Sequence, residues 1–423
     1  MPVPRFFYNS ALVAILVPAI ATAQSPLTWQ QVREQFESAN PTLSAGRVNI
    51  DESRAEEITA YLRPNPDLNF TIDGLQVSRN QGIWRPLSGV VTTTGFSYLH
   101  ERQHKRELRR DAAKETTAVA ESTYLDQQRN LLFNLRNAFV QTLQAKAVLD
   151  NAKQNLDYWD HELDIDNLRL RAGDIAQLDL NRLVLMRVEF ESDYETAIVN
   201  LRTAKIQLLM LLNQRRPVDQ FDVTGPYDFS AELRPLEDYR NIALEARPDL
   251  KAAVQNVELA KLNHQLAVAN GSVDPIWGAW YSYNPSFSNS FANQTVGGTV
   301  SIPLRIFDRN QGEKARTQLD ISRNERLRDA AQAQVFNDVD SAYFTLVQEV
   351  NLLRPYRDKY LPLAGDVRDR MSFSYRNGGA SLLDYLDAEK SYRDTRLAYL
   401  NLIGSYLTAA AQLNMAAGRE VIE

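Results

Sequence analysis

The residues best placed to do chemistry in this chain are acidic. Asp384 and Asp387 stand three positions apart, which puts both carboxylates on one face of a helix. Like charges held that close disfavour full ionisation and attract cations. Asp384 has a second reading, because Ser381 completes a capping-box pattern with it. Asp179 occupies the matching place in the first half of the chain and also reads as a solvated first-turn acid. Asp160, Glu162, Asp164 and Asp166 form a further cluster, read here as a solvated helix face. Enzyme signatures are missing: there is no H-E-x-x-H, no Walker glycine loop and no G-x-S-x-G. Cys is absent, which removes disulfides, thiol nucleophiles and Cys metal sites. His100 and His104 are four apart, but arginines and lysines surround them and no third ligand follows. They read as a solvated helix start, not a metal site. No catalytic residue, metal or cofactor is expected. The net charge of -6 offers no basic footprint for nucleic acid.

What positions these acids is a duplication. Ala39-Asn40-Pro41-Thr42-Leu43-Ser44-Ala45 returns as Ala246-Arg247-Pro248-Asp249-Leu250-Lys251-Ala252, and Glu101-Arg102-Gln103-His104 returns as Asp308-Arg309-Asn310-Gln311. Arg171-Ala172-Gly173 and Leu178-Asp179 return as Arg376-Asn377-Gly378 and Leu383-Asp384. The offsets nearly agree: 248 − 41 = 207, 309 − 102 = 207 and 378 − 173 = 205. A unit of this length is not a short solenoid repeat. The organisation expected is a signal peptide over 1–23, a first repeat over 24–213, a linker over 214–235 and a second repeat over 236–423. The signal peptide is read from Arg5, the apolar run 11–20 and the Ala21-Thr22-Ala23 cleavage site. Nothing later offers the ~18 apolar residues of a membrane-spanning helix, so any insertion must use strands.

Each repeat reads as helix, strand, strand, long helix, return helix. In the first, a short helix spans 27–38 and a second runs from Pro41 to about Leu62, with Asn40 as its cap. Positions 101–170 hold neither Pro nor Gly, enough for a helix of about 105 Å. Gly173 ends it and a return helix runs over 176–213, with Leu201, Ala204, Leu208 and Leu211 along its seam. The shorter helices are expected to stack end to end beside the long one. In the second repeat Pro355 and Pro362 predict a kink or break in the long helix.

Alternation marks four strands. Leu68, Phe70 and Ile72 define the first, and Val90 through Tyr98 the second. Trp277 through Tyr283 and Val296 through Leu304 define the third and fourth. At about nine to eleven residues each, they have the length of bilayer-crossing strands. Four strands per chain leave open edges in lipid, so closure needs several chains. Three chains give twelve strands, an even number within the barrel range. Trp277, Trp280, Tyr281 and Tyr283 read as an aromatic belt at the lipid interface, or as strand-core packing.

These features resemble the outer membrane efflux protein family, the TolC-type outer membrane factors, over essentially the whole mature chain. The paired Arg-x-Gly turns, the Leu-Asp after each and the duplicated hairpins carry the resemblance. The most specific stretch is Tyr375-Arg376-Asn377-Gly378-Gly379-Ala380-Ser381-Leu382-Leu383-Asp384-Tyr385-Leu386-Asp387-Ala388. The stretches Leu62-Arg63-Pro64-Asn65-Pro66-Asp67-Leu68 and 353–363 are similar to the heavy-metal, cobalt–zinc–cadmium branch. The resemblance implies a homotrimer in the outer membrane of a Gram-negative bacterium with a long periplasmic extension. It implies partnership with a periplasmic adaptor and an inner-membrane pump of the resistance-nodulation-division type. It places a periplasmic gate at Asp384, Asp387, Asp179 and Tyr375. The adaptor-docking tips fall at Gly173, Gly378, Arg171 and Arg376, whose glycines end helices in any case. The fold class expected is mainly α with a small β part: a coiled-coil barrel below a trimeric twelve-stranded β-barrel. The function expected is a passive exit duct for efflux. The alternative is a periplasmic adaptor or coiled-coil scaffold without a pore. Two hairpins and no flanking β-domains count against it.

Overall fold

The computed structural model describes residues 25–230, 232–285 and 292–422. The expected signal peptide lies outside the described residues. The first repeat holds α1 (Trp29–Ala39), α2 (Pro41–Tyr61), β1 (Asp67–Asp73), β2 (Val91–Leu99), α3 (Lys105–Ala172) and α4 (Gln177–Leu211). The second holds α5 (Leu236–Ala246), α6 (Pro248–Asn270), β3 (Ile276–Tyr283), β4 (Gln294–Ser301), α7 (Gln311–Pro355), α8 (Leu361–Arg376) and α9 (Leu382–Ala417). Local signals act as expected at many ends. Asn40 accepts from the Thr42 and Leu43 N–H groups at 2.9 and 3.1 Å, with Pro41 opening α2.

The duplication extends to backbone conformation. Gln103 and Asn310, Gly173 and Gly378, and Asn213 and Gly418 all adopt positive φ, at 60°, 60°, 85°, 72°, 53° and 80°. Each pair keeps the sequence offset, so the same turns recur before each long helix, at each tip and after each return helix.

In each repeat the shorter helices line up along the long one. The α4 end meets the α1–α2 corner, where Gln214 donates to Gln35 at 2.9 Å. The α9 end meets the α5–α6 corner, where Arg247 donates to the Ala416 carbonyl at 3.4 Å. The helices form one layer in which α2 and α4 flank α3, α3 packs on α6 and α9, α6 packs on α7, and α9 packs on α7 and α8. At 1.5 Å per residue the 68-residue α3 is about 100 Å long.

The segment 214–235 is more than a tether. A 3₁₀ turn spans Val218–Gln220, and Val223 pairs with Leu27 in a parallel bridge. Phe221 and Val223 are buried with Val32, Phe36, Leu135, Phe139, Leu208 and Leu212. Together with α1, α5 and the last described residues it thickens the layer into a waist. The second repeat has the matching core of Val335, Val339, Ala342, Leu346, Tyr406 and Leu413. Their spacing is that of a coiled-coil seam.

Two expectations about element ends change. The long helix of the second repeat does not break at its prolines. A π-helical turn, Tyr356–Tyr360, joins α7 to α8. Pro362 has no N–H to give to the preceding turn, and its ring crowds the carbonyl four residues back, at Asp358 inside the π turn; the widened ladder there absorbs that loss without leaving helical conformation. Pro355 is the last residue of α7. Three strands are also shorter than expected, β1 at 7 and β3 and β4 at 8 residues, while β2 has 9; Ile302 and Leu304 fall beyond β4.

The strands form one antiparallel sheet in the order β1-β2-β3-β4. Its register sorts the side chains onto two faces, because directly opposite residues share a face. Phe70, Thr94, Tyr281 and Val296 form one row, and Leu68, Phe96, Ala279 and Gly298 the next on the same side. With Ile72, Tyr98, Trp277, Tyr283 and Val300, that face is mostly apolar; Thr92, Thr94 and Gln294 are its polar members. The opposite face carries Asn69, Thr71, Thr93, Ser97, Ser282, Thr295 and Thr299. Trp280 belongs to this polar side. It lies in a row with Asn69, Gly95 and Gly297, and a Cβ at Gly297 would collide with its ring. Trp280 is therefore separated from the Trp277, Tyr281 and Tyr283 group. Sequence proximity grouped it there, and strand alternation removes it.

Candidate gate at the hairpin tips

The two helical hairpins end at neighbouring turns. At the first, Gly173 donates to the Leu170 carbonyl at 3.1 Å and Asp174 to the Arg169 carbonyl at 2.9 Å. At the second, Gly378 donates to the Tyr375 carbonyl at 3.1 Å and Gly379 to the Ser374 carbonyl at 2.8 Å. No atom lies within 4 Å of where a Cβ would stand at Gly173 or Gly378. Both turns, with Arg171, are open surface; glycine is needed for its φ, not for space.

Asp384 forms the capping box that its second reading predicts. Its N–H donates to Ser381 Oγ at 3.2 Å, while Ser381 Oγ and the Ser381 N–H donate to its Oδ2 at 2.7 and 3.3 Å. The capping box is formed and the carboxylate remains exposed. Asp387 is exposed one turn later, with fully buried Tyr385 between them. Asp179 is half-buried in the first turn of α4.

Tyr375 lies inside the tip, not on its surface. It is 7% exposed and stacks on Tyr385, with ring centroids 5.1 Å apart and planes within 4°. The Arg169 guanidinium sits 4.9 Å from its ring centroid. Burial pushes the Tyr375 hydroxyl up, and the charges of Asp166 and Asp179 add to that. Trp159, Leu163, Leu180, Leu183, Phe190 and Leu382 complete this third core, which belongs to both hairpins.

The acidic cluster on α3 corrects the solvated-face expectation. Asp160 and Asp164 are exposed, but Glu162 and Asp166 are each 2% exposed. Arg169 holds Asp166 at 2.9 Å, and Arg376 of α8 donates to Glu162. Arg376, expected at the docking surface, is thus tied to the other hairpin. Burial raises Glu162 and Arg376 opposes it. The signal was present in the spacing: Glu162 and Asp166 share the stripe of Trp159 and Leu163.

Sequence reasoning missed one further residue. Glu389 of α9 is 6% exposed and accepts from Tyr158 Oη of α3 at 3.1 Å, while the Tyr158 and Tyr385 hydroxyls lie 3.2 Å apart. Burial pushes the Glu389 carboxyl up to about 7, against the Tyr158 hydrogen bond and the Arg368 charge. It lies on the stripe of Leu382 and Tyr385, the position where an apolar residue would ordinarily stand. Among the described residues no His, Cys, Asp and Glu cluster fits a metal ion, and His104 is an exposed helix-start residue 4.0 Å from Glu107.

Paired helical hairpins, a single sheet with one apolar and one polar face, and acidic tips define a channel-forming protomer. The chain belongs to the outer membrane efflux protein family, whose profile matches residues 32–183 and 240–419. It is similar to the cobalt-zinc-cadmium resistance protein CzcC of Cupriavidus metallidurans, at 24% identity over 96% of this chain and 97% of that one. The outer membrane protein TolC of Salmonella enteritidis is 20% identical over 96% of this chain and 85% of its own. Among solved structures, CusC superposes with a TM-score of 0.77 at 18% identity, covering 92% of each chain. VceC of Vibrio cholerae superposes with a TM-score of 0.73 at 16% identity, over 92% of this chain and 96% of its own. The pore-less adaptor alternative is not favoured.

Proposed function

We propose that three copies of this chain close into an outer membrane exit duct that serves a periplasmic adaptor and an inner-membrane pump of the resistance-nodulation-division type. The observation that carries this reading is that sheet and helical layer run out on the same sides. β1 and β4 each have one strand partner among the described residues. Beneath them the layer ends at α4 and at α7–α8. There Leu178, Leu185, Val199 and Ile206 of α4 are exposed at multiples of seven residues, and Phe344, Leu363 and Phe373 are exposed at the other end. Sheet edges left open in lipid are untenable, and an exposed heptad stripe is half of a coiled-coil seam. Further copies satisfy both at once, and three make twelve strands. The apolar face, with Trp277, Tyr281 and Tyr283, then meets lipid, and the polar face with Trp280 lines the pore.

Asp384, Asp387 and Asp179 are assigned to the periplasmic gate, three of each per trimer, and Tyr375 to the packing that sets their position. Gly173, Gly378 and Arg171 offer the open turn surface to the adaptor. The likeness to CzcC favours metal cations as the pump's cargo, which the duct itself need not select.

The test uses the absence of Cys. Thr71→Cys with Thr295→Cys is expected to yield disulfide-linked oligomers up to trimers in outer membrane fractions, with single-channel conductance in planar bilayers. Soluble monomers, or intramolecular links alone, would refute closure.

A further inference from the structure

Arg136 of α3 is held at the waist by two aromatic rings. Its guanidinium carbon lies 4.6 Å from the Trp29 ring centroid and 5.8 Å from that of Phe139. The rings are themselves fixed: Trp29 and Phe139 are tilted at 55° with centroids 5.5 Å apart, and Trp29 Nε1 donates to Glu420 at 3.2 Å. Glu420, the acidic group nearest Arg136, is also paired with Arg33 at 3.6 Å. Half-buried Arg136 makes no hydrogen bond and no ion pair with any described residue, whereas buried Arg247 is held by Asp249 and Asp338. Burial draws its pKa down, and only Glu420 opposes this.

The guanidinium borders a cavity of 360 Å³ whose other walls include Phe139, Leu143, Thr224 and Leu407. That volume is at the lower end for small-molecule sites. Stacking engages the flat faces of a guanidinium and leaves its N–H edge for a planar anion. A half-buried cation without a carboxylate partner gains most from an anion delivered to that edge, where two parallel hydrogen bonds form. The apolar walls set the rest of the ligand.

We propose that this waist cavity binds a small monocarboxylate with an aromatic or aliphatic tail. Its carboxylate meets Arg136 edge-on, and its tail rests on Phe139, Leu143 and Leu407. The site lies apart from the hairpin tips and goes beyond the exit-duct reading. It joins α1, α3, α9 and the 214–235 segment, so an occupant would brace the waist of one protomer.

The probes are benzoate and its uncharged isostere benzamide, titrated calorimetrically into the full-length detergent-solubilised protein at pH 7. Benzoate is expected to saturate at one per chain and to bind roughly tenfold or more tightly than benzamide. Arg136→Gln is expected to weaken benzoate by roughly tenfold or more while leaving oligomeric state and thermal unfolding unchanged. Equal binding of the two probes, unchanged binding in Arg136→Gln, or no saturation up to ~10 mM would each overturn the site. The benzamide comparison needs no variant, so a misfolded Arg136→Gln would not shelter the proposal.

Discussion

Tyr158 of α3 donates its hydroxyl hydrogen to the Glu389 carboxylate of α9 at 3.1 Å, joining the first hairpin to the second across a buried interface. Glu389 carries a pKa near 7 in the fold because burial disfavours its charge. The folded chain therefore holds this proton more tightly than the unfolded chain does, whose carboxyl titrates near its ordinary value of 4.5. Stability from this group is complete below 4.5 and is lost as pH rises toward about 7. The size is about 3 kcal/mol. Denaturant unfolding of the solubilised protein between pH 4.5 and 8 should show this decline, and Glu389→Gln should flatten it. An identical slope in the variant would remove Glu389 as its source.

The Arg376–Glu162 pair is another link between hairpins. Arg376→Ala leaves a carboxylate with a 3%-exposed side chain facing no cation. Because the Arg376 side chain is 43% exposed, water offsets part of the loss. A destabilisation of about 2 kcal/mol is expected, with faster proteolysis at the tips. Arg376→Ala combined with Glu162→Gln should recover most of it, since the stranded charge is then gone. If the double variant is as weak as the single one, the pair is not the link described.

Asp384 and Asp387 separate by stability and not by block. Asp384→Ala removes a formed cap and should cost about 1 kcal/mol, whereas Asp387→Ala should cost almost nothing. Together they are expected to weaken block of channel current by multivalent cations. Unchanged block would take both carboxylates out of the gate.

The two sheet faces predict opposite outcomes for one substitution. Ala279→Arg puts a charge on the apolar face and should cost about 2–4 kcal/mol, reducing insertion. Thr299→Arg, on the polar face, should insert normally and shift ion selectivity toward anions. Equal insertion defects in both would mean that the faces are not divided between lipid and pore.

Much of this molecule was legible in the order of its residues. Asn40-Pro41, Ser381-x-x-Asp384, Gly173 and Gly378 set helix ends through contacts within a few residues, and Ala204 and Leu208 marked a buried seam by spacing alone. Duplication then multiplied each local signal. Other features depend on partners far along the chain. Periodicity says which residues share a face, but not what that face will meet. Glu162 and Asp166 became buried because the second hairpin covers them, with Arg376 arriving from 214 positions away. Tyr375 turned inward because Tyr385 and Arg169 converge on it. The β2–β3 and β3–β4 pairings placed Trp280 between Gly95 and Gly297, and the π turn before Pro362 kept the helix going where the proline leaves a bond unmade. Local sequence settled the parts and their ends; burial and long-range pairing, whose energies exist only once distant segments touch, decided which charges stay exposed and which are locked inside.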